Sequence, residues 1–208
     1  MSGPRNPDTS ASSPRTDELT GCEVVVGVCG GIAAYKTAAL VSALVQRGAG
    51  VTVAMTAAAK HFVGPLTFEA LTARQVFTSP WESTAYFDPQ HIRLTEGADV
   101  MVIAPATANI IGKIAHGLAD DLVSTMVMSA ACPVLLAPAM NTRMWENAIV
   151  QDNVKSLAAR GYRIVPPGEG WLACRTIGSG RMAEPDEILA RTIELLKASP
   201  PKNAAPNR

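Results

Sequence analysis

The 208 residues are enough to bury one core of ordinary domain size. Eighteen basic and eighteen acidic residues cancel, and a nucleic-acid binder needs a basic excess to displace counterions, so that class of partner is disfavoured. Charged residues make up only 17% against 48% hydrophobic. That is a low charged share for a small monomer, and it points to apolar surface covered by other subunits.

Residues 1–21 are polar and proline-containing; they read as a disordered tail without the apolar stretch of a secretion signal. No apolar run approaches the roughly 20 residues that span a bilayer, so the reading is a cytoplasmic protein with no membrane partner. Glu23–Cys29 is a β-branched strand run ending at Gly30-Gly31, and a helical pattern follows from Ala33 to Gln46. Gly48-Ala49-Gly50 stops that helix, and Val51–Thr56 reads as a second strand. Asp99–Ala104 and Pro133–Ala137 are apolar almost throughout, as strands covered on both faces are. Asn109–His116, Asp121–Ala130 and Asn147–Arg160 have helical patterns, and Tyr162–Val165 is a short strand. Pro185–Ala198 is a closing helix with proline in its first turn, and 199–208 is a second polar tail. The alternation predicts one α/β domain over residues 22–198. Its architecture is a doubly wound parallel sheet, Rossmann-like or flavodoxin-like, with helices on both faces.

In such sheets ligands bind beyond the carboxyl ends of the strands, where turns feed helix N-termini. Cys29-Gly30-Gly31-Ile32 is one such turn; by itself it is as consistent with a tight structural turn as with a phosphate cradle. It lacks the G-x-G-x-x-G spacing, and the second strand ends Ala54-Met55-Thr56 with no acid for a ribose. A mononucleotide therefore suits it better than a dinucleotide. A second turn, Ala104–Ile110, carries Thr107 and Asn109 as helix caps or cofactor ligands. A third, Ala137-Pro138-Ala139-Met140-Asn141, has the same character, and three such turns at one edge imply a shared pocket.

Cys22, Cys29, Cys132 and Cys174 show no paired metal-ligand spacing, so no metal is expected. The first three read as reduced, buried thiols. Cys174 lies in the glycine-rich stretch Gly168–Arg181, a mobile flap in which a thiol is as plausibly reactive as inert. His91 reads as a surface or capping residue at a helix start, and His61 and His116 as structural. Met140 and Met144, four apart, have the spacing of core residues, and Trp145 and Trp171 are candidates for burial.

Three motifs carry a resemblance. Pro138–Trp145 reads P-x-M-N-x-x-M-W, Pro105–Ile110 is a variant of P-A-S-A-N-T, and Leu172–Gly180 follows L-A-C-G-x-x-G-x-G except at Arg175. Over Glu23–Lys197 the chain resembles the homo-oligomeric flavin-containing cysteine decarboxylases, and among them the coenzyme A branch. The resemblance implies FMN as cofactor and 4′-phosphopantothenoylcysteine as substrate, converted to 4′-phosphopantetheine and CO2. Its implied course is oxidation of the cysteine unit to a thioaldehyde, loss of CO2 to an enethiol, and reduction to the saturated thiol. His91 is then the base of the oxidative step, Asn141 the holder of the substrate carboxylate, and Cys174 the proton donor of the last reduction. Asn141, Met144, Trp171, Leu172 and Ala173 fall at the substrate. Gly30, Gly31, Ile32, Thr56, Ala57, Ala58, Thr107, Ala108, Asn109, Ile110 and Ala139 fall at the flavin and its phosphate.

The resemblance also implies a homo-oligomer, a trimer or a dodecamer built of trimers, with FMN at the subunit contact. The synthetase that makes the substrate is expected on another polypeptide. Gly31, Ile110 and Arg175 depart from the family pattern (often Ser, Thr and usually Gly); Arg175 either meets the substrate phosphate or faces solvent, with solvent favoured. The alternatives are a peptidyl-cysteine decarboxylase, which would have no equivalent of Cys174, and a non-catalytic FMN-binding regulatory subunit, which would not need His91, Asn141 and Cys174 together.

Overall fold

The computed structural model describes residues 17–80 and 94–198. Five parallel strands form the main sheet: β1 (Glu23–Val28), β2 (Gly50–Met55), β3 (Val100–Ala106), β4 (Val134–Pro138) and β5 (Arg163–Ile164). Their order is β2-β1-β3-β4-β5, the flavodoxin-like doubly wound arrangement. The helices are α1 (Ala34–Gln46), α2 (Pro65–Thr72), α3 (Ala108–Ala115), α4 (Leu122–Ser129), α5 (Thr142–Trp145), α6 (Ala148–Ala159) and α7 (Pro185–Ala198). None of the described helices is long and apolar enough to cross a membrane.

The strands are apolar on both sides because each side meets its own helix layer. Side chains alternate along a strand, so Val24, Val26, Val28, Val100, Val102 and Ala104 join one core with Leu40, Leu44 and Ile188. Val25, Met101, Ile103, Val134 and Leu136 join the other with Ile110, Ile114, Val123, Met126 and Leu157. At Gly27, opposite Ile103 in the register, an added Cβ would lie 2.6 Å from Ile103 Cδ1 and 3.0 Å from Val123 Cγ1. The glycine lets the larger Ile103 fill that volume beneath α4.

Element ends fall within a residue or two of expectation. β3 runs on to Ala106 through a cis Ala104–Pro105 peptide and a register shift against β4. There the Thr37 hydroxyl donates to the Ala104 carbonyl at 2.7 Å in a fully buried contact. The ordered fold also begins before Cys22. Asp17–Leu19 form a 3-10 turn, Leu19 is buried in the first core, and Glu18 pairs with Lys197 at 2.6 Å. One apolar side chain among polar neighbours gives no periodicity to read. The remainder of the expected tails, 1–16 and 199–208, lies outside the described residues, as does His91.

The Gly168–Arg181 stretch differs from the flap expected. It is an antiparallel hairpin of β6 (Gly168–Trp171) and β7 (Ile177–Arg181), with Trp171 opposite Ile177. Glycines at every other position of β6 hide the apolar alternation that marks a strand. The loop closes with the Leu172 N–H donating to the Thr176 carbonyl and the Arg175 N–H to the Leu172 carbonyl, both at 2.9 Å. Arg175 has φ 62°, the left-handed end of a three-residue hairpin loop. Glycine suits that position, because a residue with a Cβ loses about 1–2 kcal/mol there. Its side chain is exposed and has no ion-pair partner among the described residues.

The turn after β1 is crowded. A Cβ on Gly30 would meet Ala58 Cβ at 2.3 Å and the Ala58 carbonyl carbon at 2.9 Å, so backbone would have to move. Gly30→Ala is therefore expected to cost about 1–3 kcal/mol, read as a lower midpoint in urea unfolding.

Candidate active site

The carboxyl ends of β1, β2, β3 and β4 all open onto one cavity of about 810 Å³, within the range of roughly 300–1,000 Å³ usual for ligand sites. Each helix start at this edge leaves first-turn amides to be satisfied from outside the helix. At α3 the Thr107 side chain caps by accepting from Ile110 N–H at 3.4 Å, and the Ala108 and Asn109 N–H groups donate to no described residue. Thr56 does the same for Ala59 N–H at 3.2 Å in the 3-10 turn after β2, leaving Ala57 and Ala58. α1 has no side-chain cap at all, and the N–H groups of Gly31 and Ile32 donate to no described residue. Three sets of open donors at helix starts thus surround one space, an arrangement suited to an anionic group such as a phosphate.

The far wall comes from the Pro138–Trp145 segment and the hairpin. Asn141 is the N-cap of α5, and its Oδ1 accepts from Met144 N–H at 2.9 Å. That bond fixes the amide orientation and leaves the NH2 group as the end free to donate. Gly180 has φ 113°, and a Cβ there would meet the Met140 carbonyl oxygen at 2.3 Å. The Met140 N–H donates to the Gly180 carbonyl at 2.9 Å and the Thr142 hydroxyl to the Ser179 carbonyl at 2.8 Å. The hairpin is therefore tied to the motif segment by one backbone and one side-chain hydrogen bond, which set its tip over the cavity. Cys174, exposed at that tip, has its Sγ 3.0 Å from the Thr176 hydroxyl.

Every cation on the cavity wall has a partner. Lys36, only 8% exposed, and Arg181 both reach Glu184 Oε1 at 2.9 Å. The hydrogen bond from Lys36 holds the Glu184 carboxyl below its ordinary value. Lys113 pairs with Asp120 and Asp121, each at 2.6 Å. Burial works against its charge, but the two carboxylates outweigh that and raise its pKa. Asp121 is also the capping-box residue of α4. Cys29, on the cavity floor, is fully buried, and desolvation pushes its thiol well above the usual range, so it stays neutral.

Apart from His91, every residue that the sequence assigned to the site lines this cavity: Gly30, Gly31, Ile32, Thr56, Ala57, Ala58, Thr107, Ala108, Asn109, Ile110, Ala139, Asn141, Met144, Trp171, Leu172, Ala173 and Cys174. Several expectations of burial fail. Cys132 is only half-buried, unlike Cys22 and Cys29. Met144 is 43% exposed and Trp171 63%, because α5 is one turn long and no second layer among the described residues covers the two-stranded hairpin. Trp145 is half-buried, and Met140 packs against the second core from the cavity wall. Sequence reasoning missed Lys36, Lys113, Asp121 and Arg181. Lys36 and Lys113 stand four residues after Ile32 and Asn109, one helical turn along the same face, and that spacing was the available signal.

The model of the Flavoprotein family matches residues 12–197. The Bacillus subtilis protein described as coenzyme A biosynthesis bifunctional protein CoaBC is 45% identical over 82% of this chain but only 42% of its own length. The chain spans less than half the length of the curated relatives it matches first. Among solved structures, a cysteine-to-serine mutant of PPC decarboxylase complexed with pantothenoylaminoethenethiol is 34% identical, with a TM-score of 0.76 over 86% of this chain and 99% of that one. The FMN-dependent cysteine decarboxylase SpaF is also 34% identical, with a TM-score of 0.74 over 85% and 97%. With the flavodoxin-like sheet and the cavity at its carboxyl edge, these matches show that the chain belongs to the Flavoprotein family.

Proposed function

We propose that this chain binds FMN and decarboxylates 4′-phosphopantothenoylcysteine to 4′-phosphopantetheine and CO2. The observation that carries the reading is the single cavity on which three helix starts with open amides face both Asn141 and Cys174. The residues fit an FMN. Gly30 allows the turn to pack against Ala58 without a side chain between them, the open N–H groups of Gly31, Ile32, Ala57, Ala58, Ala108 and Asn109 suit its phosphate, and Ile110 and Ala139 supply apolar wall. When bound, FMN supplies the two-electron oxidation and the later reduction of the substrate's cysteine unit.

The chain's own groups orient the substrate and move protons. Asn141 donates its amide NH2 to the substrate carboxylate, and a neutral donor orients that group without the strong stabilisation that a cation would give it. The ion pairs of Lys36 and Lys113 keep those cations committed elsewhere. Met144, Trp171, Leu172 and Ala173 enclose the cysteine unit, and the Cys174 thiol gives the proton that completes the saturated product. His91, outside the described residues, is assigned as base of the oxidative step from the motif resemblance; a neutral imidazole suits that task near pH 7.

A homo-oligomer built on trimers, with FMN near the subunit contact, is part of the same reading. The exposed Ile32 and Tyr35 on the cavity rim support it. The protein is placed in the cytoplasm, where a synthetase must supply phosphopantothenoylcysteine.

The deciding experiment is CO2 release from phosphopantothenoylcysteine with the product identified by mass. No release from a yellow, FMN-loaded protein would leave a binding-only subunit, and faster turnover of peptides ending in cysteine would make it a peptidyl-cysteine decarboxylase. Cys174→Ser is expected to go on releasing CO2 while an enethiol accumulates and saturated thiol falls about 10²–10⁴-fold. His91→Asn is expected to retain FMN but to slow substrate-dependent bleaching of the flavin absorbance by about 10²–10⁴-fold. Light scattering of the FMN-loaded protein should give a mass that is a multiple of three chains.

A further inference from the structure

We propose that Thr176 is a positioning residue for the Cys174 thiol, holding it toward the cavity, stabilising the thiolate left by proton donation and helping to return its proton. The inference rests on the role given to Cys174 above and adds a residue that no motif marks. Its basis is the geometry of the hairpin tip. Trp171 and Ile177 are the last paired residues, and the loop between them closes through Leu172 and Thr176. Within it Arg175 has φ 62°. The left-handed residue reverses the chain between Cys174 and Thr176, so that two side chains two positions apart meet. Successive odd or even residues of a plain strand would stand farther apart along one face. The Sγ and Oγ1 atoms are 3.0 Å apart, and either can donate.

The proton accounting gives that contact a task. In the last step the two-electron reduction that FMN would supply opens the enethiol double bond; the carbon left with the electron pair takes the Cys174 proton to form a C–H bond, and the S–H electron pair stays on sulfur as a thiolate. A thiolate only accepts hydrogen bonds, so the contact then has one polarity, with the Thr176 hydroxyl donating to sulfur. Both residues are exposed at the tip. Water can thus give a proton to the Thr176 oxygen as the hydroxyl proton passes to sulfur, which restores the S–H bond for the next turnover. Cys22 and Cys29 are buried and have no part in this exchange.

The test compares Thr176→Val, which keeps the branched shape and deletes the hydroxyl, with Thr176→Ser, which keeps the hydroxyl. Each FMN-loaded protein is treated with iodoacetamide at fixed pH, and alkylation of Cys174 is followed by peptide mass. The expected result is alkylation about threefold to tenfold slower in the valine variant, returning to near the parent rate in the serine variant. With phosphopantothenoylcysteine, the ratio of enethiol to saturated thiol should rise in the valine variant alone. Equal alkylation rates in all three proteins would overturn the proposal, and so would a serine variant that behaves like valine, since packing would then explain the contact. The alkylation contrast needs no turnover. If it holds while the parent protein releases no CO2, the decarboxylase reading fails and the Thr176 contact stands.

Discussion

Parallel strands end in the same direction, and β1, β2, β3 and β4 therefore deliver their carboxyl ends to one edge of the sheet. Each of β1, β2 and β3 must there turn into a helical segment whose first amides the segment cannot satisfy itself. In an isolated helix those amides would go to water. Here they face one another across a cavity, so a local shortfall in hydrogen bonding becomes a shared binding surface. The threonine caps at Thr56 and Thr107 relieve only one amide each and leave the rest available.

That edge can be permissive because the rest of the sheet is not. Strands buried on both faces leave no freedom in register, and a one-residue slip would exchange the two cores. Gly27 under Ile103 and the buried Thr37–Ala104 bond show how tightly the layers beneath the cavity are set. Among the described residues the hairpin has no such support, only two short strands paired with each other and no covering layer. It is instead fixed to the Pro138–Trp145 segment by the Met140 N–H donating to the Gly180 carbonyl and the Thr142 hydroxyl donating to the Ser179 carbonyl. The two most specific motifs of the sequence, separated by residues 146–171, are thereby parts of one wall.

Charge is handled with similar economy. Lys36 and Lys113 enter the cavity already matched to carboxylates that do other structural work: Glu184 also holds Arg181 at the base of the hairpin, and Asp121 caps α4. The charges nearest the site are thus coupled to the positions of α1, α4 and the hairpin rather than left to bind any passing anion.

The amino-acid sequence alone determined the α/β class, the parallel sheet and the turns that line the cavity, because apolar runs without alternation and Gly, Thr or Asn at strand ends are local signals. The family resemblance of the motifs, rather than spacing by itself, pointed to Asn141, Met144 and Cys174, since their neighbours in the chain mark them. It could not determine that Met144 and Trp171 stand exposed on the cavity wall, that Gly168–Arg181 pairs as a hairpin, or that Arg175 is left-handed at its tip. Burial depends on which layers lie overhead, and strand pairing depends on a partner elsewhere in the chain. The pairing of Lys36 with Glu184, 148 residues apart, is likewise decided only when α1 and the start of α7 are brought together over the same sheet. Chain-local chemistry fixed what could bind at the edge, and tertiary packing decided which side chains reach it.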